Sequence, residues 1–335
     1  MNKDVLIIGG GPAGLLTSYH LKRFGVKPLI IERNRLGQSW RNMRDYMTML
    51  SPADVRHDLT SLTFDNPISS AIKLKGPFAT KEEFVTYLEF FAQENFIDIS
   101  ENKSVSTISA VEKGYSVSTK EGVLYNSSIV VVATGVAGNP FIPDIKGIKN
   151  NPLVTHSSKS RSLEEYRGKK VLIVGAGNSG AELAIEISGV ATVTLAARSK
   201  LRYYSKTDDL SNIRGLSESL LKELIKFKII ELKEDCMITS IDGGKVSFSN
   251  GSDGEFDEVI FATGYMPGLP EFVGVQVDKT ADGYPVVSPN CESVSAKGLY
   301  FSGPLAHNNR YCSFIHCFRP MVEPMALEIA ERLGH

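Results

Sequence analysis

No apolar run in the chain approaches the ~20 residues needed to span a bilayer. The stretch that opens at Val5 ends after four residues in glycines and a proline. It reads as a buried parallel strand and not as the core of a signal peptide, so no membrane contact and a cytoplasmic location are expected. An excess of charge of one sign is equally missing. Lysine and arginine number 37 against 38 aspartates and glutamates, for a net charge of −1, which gives no electrostatic case for nucleic acid as a partner. Cysteine is scarce: Cys236, Cys291, Cys312 and Cys317 form no CxxC, and no histidine pair completes a zinc pattern. Cys312 and Cys317, five apart, would lie about 140° apart around a helix, a poor geometry for a dithiol. Small buried side chains in a reducing compartment are the simpler account, and no metal is expected.

Glycine is where the sequence is informative. Gly9-Gly10-Gly11-Pro12-Ala13-Gly14 follows the apolar run Val5–Ile8, and Gly175-Ala176-Gly177-Asn178-Ser179-Gly180 follows Val171–Val174. Each is a GxGxxG fingerprint between a strand and a helix. The first glycine permits the turn, the second lets a pyrophosphate approach, and the third lets helix pack on strand. Two of them in that context predict two dinucleotides on one chain. Twenty-three residues after Gly9 stands Glu32, and the same count from Gly175 reaches Arg198. An acid at that place accepts from a ribose with free hydroxyls, whereas an arginine suits a 2′-phosphate. Ser199 and Lys200 add a hydroxyl and a second cation. FAD is therefore assigned to the first site and NADPH to the second, with a surface arginine as the alternative reading of Arg198.

At 335 residues the chain has room for about two domains. The fold class is α/β, with two Rossmann-like dinucleotide-binding domains, the second inserted in the first. The expected ranges are 1–145 for the FAD domain, 153–285 for the NADPH domain, and 286–335 for a return to the FAD domain. Between the fingerprints, Lys81–Phe96 has the spacing of an amphipathic helix. Stretches near Val105–Ile108, Tyr115–Ser118 and Val123–Tyr125 suggest an antiparallel meander with turns at Gly114 and Gly122. Ile129–Val132 reads as a separate buried strand. Both halves finish on an apolar strand and Ala-Thr-Gly, at Ala133-Thr134-Gly135 and at Ala262-Thr263-Gly264. The tail carries a strand at 298–301, a turn at Ser302-Gly303-Pro304, and helical segments from about Ser313 to Leu333 that Pro320 and Pro324 should kink or restart.

With these residues in hand, the chain resembles the flavin-containing monooxygenases and their relatives, the class B flavoprotein monooxygenases, in a compact bacterial form. The likeness rests on the opening fingerprint, on Gly37-x-x-Trp40-Arg41, on the second fingerprint with Ala181-Glu182, and on Phe261-Ala262-Thr263-Gly264-Tyr265. The family's Phe-x-Gly-x-x-x-His-Ser signature is matched only by His156-Ser157, since Asn150 and Pro152 stand where Phe and Gly would be. The resemblance implies an NADPH-dependent oxidoreductase that oxygenates a soft nitrogen or sulfur of a small molecule, with O2 as co-substrate, through a flavin C4a-hydroperoxide. It leaves a homodimer open.

The residues expected at the FAD are Gly9, Gly11, Pro12, Ala13, Gly14, Glu32, Arg33, Gln38, Ser39, Trp40, Ser51, Ala133, Thr134, Gly135 and Gly303. Those expected at NADPH are Gly175, Gly177, Asn178, Ser179, Gly180, Arg198, Ser199, Lys200, Thr263 and Gly264. The polar loop from His307 to Tyr311 is either a donor site for flavin or substrate or an exposed turn. Within it, Asn308 with His307 is the candidate for catalysis, Asn308 or Asn309 standing for the family's flavin-facing asparagine. The competing function is a thioredoxin-reductase-like enzyme passing electrons to a disulfide, quinone or ferredoxin. The missing CxxC, and Ala13 where some disulfide reductases carry cysteine, speak against it. A non-catalytic flavin and NADPH redox sensor is the third reading.

Overall fold

The computed structural model describes residues 2–45, 47–49, 51–54, 57–160, 162–306 and 314–335. By contacts the chain divides into two units: 1–42, 46–139 and 266–335 form one, and 43–45 with 140–265 form the other. The second unit is thus an insertion in the first along the chain.

The first unit is built on an eight-stranded mixed sheet. Its parallel heart runs in the order 99–100, 28–31, 2–8 and 124–132, with 299–301 added beside the last. Val5, Leu6, Ile7, Val130 and Val131 are fully buried, as an apolar run covered on both faces requires. One long strand, Leu124–Val132, replaces the two short ones that the sequence suggests. Its first half pairs antiparallel with 114–119 and its second half pairs parallel with 2–8 and with 299–301. The apparent break at Ser127 is no break. That buried hydroxyl lies 2.9 Å from the Asp4 carbonyl and 2.7 Å from the Ile129 carbonyl, so a polar residue fits inside the strand. The meander is part of the large sheet, and its turn needs Gly114: φ is +106°, and a Cβ would lie 2.3 Å from the Ser127 carbonyl oxygen.

Helix Lys81–Glu94 places Phe84, Leu88, Phe91 and Ala92 in the core, as its spacing predicts. A full capping box starts it: Glu83 N–H donates to the Thr80 hydroxyl while the Thr80 N–H donates to the Glu83 carboxylate. The C-terminal helix differs from expectation. It is one continuous helix, Ile315–Leu333, with both prolines inside. Pro320 and Pro324 lie four apart on the exposed side, where the carbonyls they leave unbonded can be hydrated. Phe318, Val322, Met325, Ala326 and Ile329 bury the opposite side and hold the helix together.

The second unit has a five-stranded parallel sheet in the order 230–233, 192–196, 170–174, 258–261, 154–156. A small antiparallel sheet, 238–242, 245–248 and 253–255, accompanies it. The strand Glu271–Val273, which the sequence reading placed with the second nucleotide, pairs in parallel with Thr107–Ser109 in the first unit. No helix among the described residues is long and apolar enough to cross a membrane.

Candidate functional site: two glycine cradles

In the first fingerprint, two glycines are demanded by the protein itself. Gly9 has φ +111°, and a Cβ there would sit 2.6 Å from the Ala133 carbonyl oxygen. A Cβ on Gly14 would lie 2.0 Å from the Gly9 carbonyl oxygen. Gly11 is different. Its φ of −89° and ψ of −175° suit any residue, and a Cβ there would meet nothing within 4 Å. Neither conformation nor packing explains that glycine, whereas a group outside the chain that approaches the backbone does.

The helix that follows, Pro12–Arg23, has no side-chain cap and no acid in its first turn. Its free N–H groups face the open space beside Gly11 and suit an anion. Glu32 is buried beside this turn. One carboxylate oxygen accepts from Gly10 N–H at 2.7 Å and the other from Asn34 N–H at 2.9 Å. Each oxygen keeps a lone pair for a ribose hydroxyl.

Around this cradle, Gly37 N–H donates to the Gly10 carbonyl at 2.9 Å, which ties in the loop carrying Gln38, Ser39 and Trp40. Gln38 donates to Asn42, and half-buried Trp40 meets Phe84 edge-on at 4.6 Å. Ala133 N–H donates to the Ile8 carbonyl, so the first Ala-Thr-Gly adjoins the fingerprint strand. Gly303, at φ +67°, packs on Ala13, where an added Cβ would stand 2.6 Å from the Ala13 methyl. Arg33 is exposed over Gly138, and Ser51 is buried with its carbonyl accepting from Thr60. His307 and Asn308, with Asn309 to Cys312, lie outside the described residues.

The second fingerprint repeats the first. Gly175 has φ +104° with a Cβ position 2.6 Å from the Ala262 carbonyl oxygen, and a Cβ on Gly180 would be 1.9 Å from the Gly175 carbonyl oxygen. Gly177 again has ordinary dihedrals and open space. Helix Asn178–Ile187 likewise starts without a side-chain cap or an early acid. Asn178 donates weakly to the carbonyls of Leu210 and Ser211, and Ser179 is exposed.

Beyond the second strand, Ser199 is exposed and Arg198 is exposed with no ion pair among the described residues. Lys200, expected as a second cation, is held by Glu234 and Asp235 at 3.3 and 3.2 Å. Its charge is therefore already matched, because the parallel pairing of 192–196 with 230–233 brings those acids alongside.

The two Ala-Thr-Gly turns share a task that the sequence did not reveal. Thr134 donates to the Gly268 carbonyl at 2.6 Å, and Thr263 donates to the Phe141 carbonyl. His156 completes the second turn. Its Nδ1 accepts from Ser158 N–H at 3.1 Å, so the neutral ring carries its proton on Nε2, which donates to the Gly264 carbonyl at 3.0 Å. Burial lowers the His156 pKa, and the Gly264 carbonyl offsets part of that.

Sequence reasoning missed one buried charge cluster. Arg44 donates to Glu182 and Glu186, each at 2.6 Å, all within the second unit. Burial disfavours its charge, but the carboxylates of Glu186 and Glu182 more than offset this and raise its pKa. Two acids at i and i+4 repel on a bare helix, and that spacing was the available signal.

The cradles separate two classes of glycine. Gly14→Ala should not fold, since its methyl would overlap a backbone oxygen. Compared with wild type in the flavin-free form, Gly11→Ala and Gly177→Ala should keep the thermal midpoint, yet lose, respectively, flavin binding and reducibility by NADPH, read by visible absorbance. A fallen midpoint in Gly11→Ala would contradict the open cradle. His156 generates a pH dependence. Its folded pKa lies below the ordinary 6.5, so the unfolded chain takes the proton first. That contribution to stability is complete above pH 6.5 and is lost as pH falls through the folded value. Denaturation midpoints from neutral pH down to about pH 5 should therefore fall less steeply in His156→Gln than in wild type.

Residues 6–303 match the family model described as pyridine nucleotide-disulphide oxidoreductase. An oxidoreductase of Geobacillus kaustophilus, described as uncharacterised and CzcO-like, is 30% identical over 334 residues, with 90% of each chain covered. A probable indole-3-pyruvate monooxygenase of Arabidopsis thaliana, YUCCA1, is 29% identical over 89% of this chain and 84% of its own. The solved structure of the bacillithiol disulfide reductase of Staphylococcus aureus superposes with a TM-score of 0.84 at 22% identity over 99% of both chains, a likeness of fold. The chain belongs to the pyridine nucleotide-disulphide oxidoreductase family and is an FAD- and NADPH-dependent oxidoreductase, similar to flavin monooxygenases.

Proposed function

We propose that the protein is a single-component monooxygenase. It would use NADPH and a proton to reduce one atom of O2 to water and pass the other to a soft nitrogen or sulfur of a small molecule. The observation that carries this reading over disulfide reduction is Ala13. It is buried at the start of the first fingerprint helix against Gly303, and its methyl has no redox chemistry. The sequence holds no CxxC, and among the described residues Cys236 and Cys291 are buried, which gives no exposed CxxC pair to relay electrons. The similarity to a plant protein named as a probable monooxygenase supports the same choice.

Bound flavin would supply the hydride acceptor and the oxygen chemistry. The chain's part is to hold and orient. The uncapped helix at Pro12 and the space beside Gly11 would take the FAD pyrophosphate, and Glu32 would accept from the ribose. The helix at Asn178 and the space beside Gly177 would take the NADPH pyrophosphate, and Arg198 would meet the 2′-phosphate. Trp40, braced edge-on by Phe84, would give the flavin an apolar wall and exclude water from it. These duties would divide between the two units, FAD on 1–42, 46–139 and 266–335 and NADPH on 43–45 with 140–265, in place of the expected boundary at 285.

The test is to reduce the flavin-loaded protein anaerobically with NADPH and then admit labelled oxygen together with a panel of amines and thioethers. Label from O2 in a product, with NADPH consumed in equal amount, supports oxygenation. Fast NADPH-driven reduction of an added disulfide or quinone, without label transfer, overturns it. In the same preparation Arg198→Ala should weaken NADPH by about tenfold to a hundredfold and leave NADH unchanged, the loss appropriate to a charge-assisted hydrogen bond. Equal losses for the two nucleotides would remove Arg198 from that role.

A further inference from the structure

Among the described residues of the first unit, Arg23, Arg35, Arg41 and Arg332 each pair with a carboxylate. Arg319, half-buried in the C-terminal helix, does not. Its Nη1 donates to the Ser61 carbonyl at 2.9 Å, and its Nη2 reaches the Asp58 carbonyl only at 3.4 Å. The guanidinium lies 4.1 Å from the centroid of the Phe64 ring, and Phe64 is 71% exposed.

The obvious counter-ion is close but otherwise engaged. The Asp58 carboxylate accepts from Thr60 N–H at 3.0 Å, from Ser61 N–H at 2.8 Å and from the Ser61 hydroxyl. The loop is braced further. Leu62 N–H donates to the Tyr87 hydroxyl at 2.8 Å, which donates in turn to the Asn66 carbonyl at 2.8 Å. Burial lowers the Arg319 pKa, with Asp58 opposing, yet a guanidinium stays protonated. A desolvated cation whose neighbouring acid is spent on the loop costs stability, and its unused donors form a planar fork suited to a carboxylate.

We propose that Arg319 and Phe64 recognise a small organic carboxylate, the guanidinium holding the acid and the exposed ring covering its apolar body. The helix bearing Arg319 follows the carboxyl end of strand Leu299–Phe301, on the edge of the sheet where open α/β folds bind their ligands. Calling this acid the substrate rests on the proposed oxygenation; the binding itself does not.

The test uses flavin-loaded protein without NADPH, so that no turnover intervenes. Phenylacetate and its neutral isostere phenylacetamide are titrated by calorimetry. Phenylacetate should bind about tenfold or more tightly than the amide. Arg319→Gln should erase that ratio at an unchanged thermal midpoint, and Phe64→Ala should weaken both probes while keeping the ratio. Equal affinities in wild type, no binding of either probe, or an unchanged ratio in Arg319→Gln would overturn the inference. Were Arg319→Gln not to fold, the wild-type and Phe64→Ala ratios would still decide it. Binding with these properties in a protein that fails to oxygenate would sink the oxygenase reading alone.

Discussion

A single close approach, made twice, underlies the architecture. The carbonyl oxygens of Gly9 and Gly175 stand where any side chain on Gly14 or Gly180 would have to be, at 2.0 and 1.9 Å from the Cβ position. Interiors this dense do not yield by fractions of an ångström without cost. The contact therefore fixes each helix start against the end of its strand. The uncapped N–H groups, the vacant flank of the middle glycine and the acid or arginine at the end of the next strand all take their places from it.

What was legible in the sequence follows from how local that contact is. The fingerprint glycines, Glu32 and the strands on either side are set by neighbours a few residues away, so spacing exposes them. The amphipathic helix at Lys81 is legible for the same reason, down to Thr80 and Glu83 at its start. Features decided by distant partners were not. Pro320 and Pro324 look like breaks until the buried side of their helix is known. Ser127 looks like the end of a strand until Asp4 appears beside it. Lys200 looks like a free cation until strand pairing brings up Glu234 and Asp235.

The same division runs through the polar residues of the candidate sites. His156, suggested by a partial motif, proves to hold the Gly264 carbonyl, so its role in the turn is that of a brace. Thr134 and Thr263, read only as small residues near a cofactor, each fasten a segment that comes from far along the chain. Arg44 went unremarked because nothing near it in sequence shows what it meets, and its pairing with both Glu182 and Glu186 offsets their repulsion on one helix. Arg319 is the reverse case: its surroundings satisfy the loop and leave the cation unmatched.

The order of the strands has a consequence for how the molecule is made. The inserted sheet draws all its strands from residues 154–261, so it can close soon after that stretch leaves the ribosome. The first sheet cannot. Val130–Val132 waits for Leu299–Phe301, and the helix Pro12–Arg23 waits for Ile315–Leu333 to cover it. Until residues 299–333 emerge, an apolar strand edge and a helix flank stand bare to other nascent chains, the sort of surface on which chaperones act and aggregates begin.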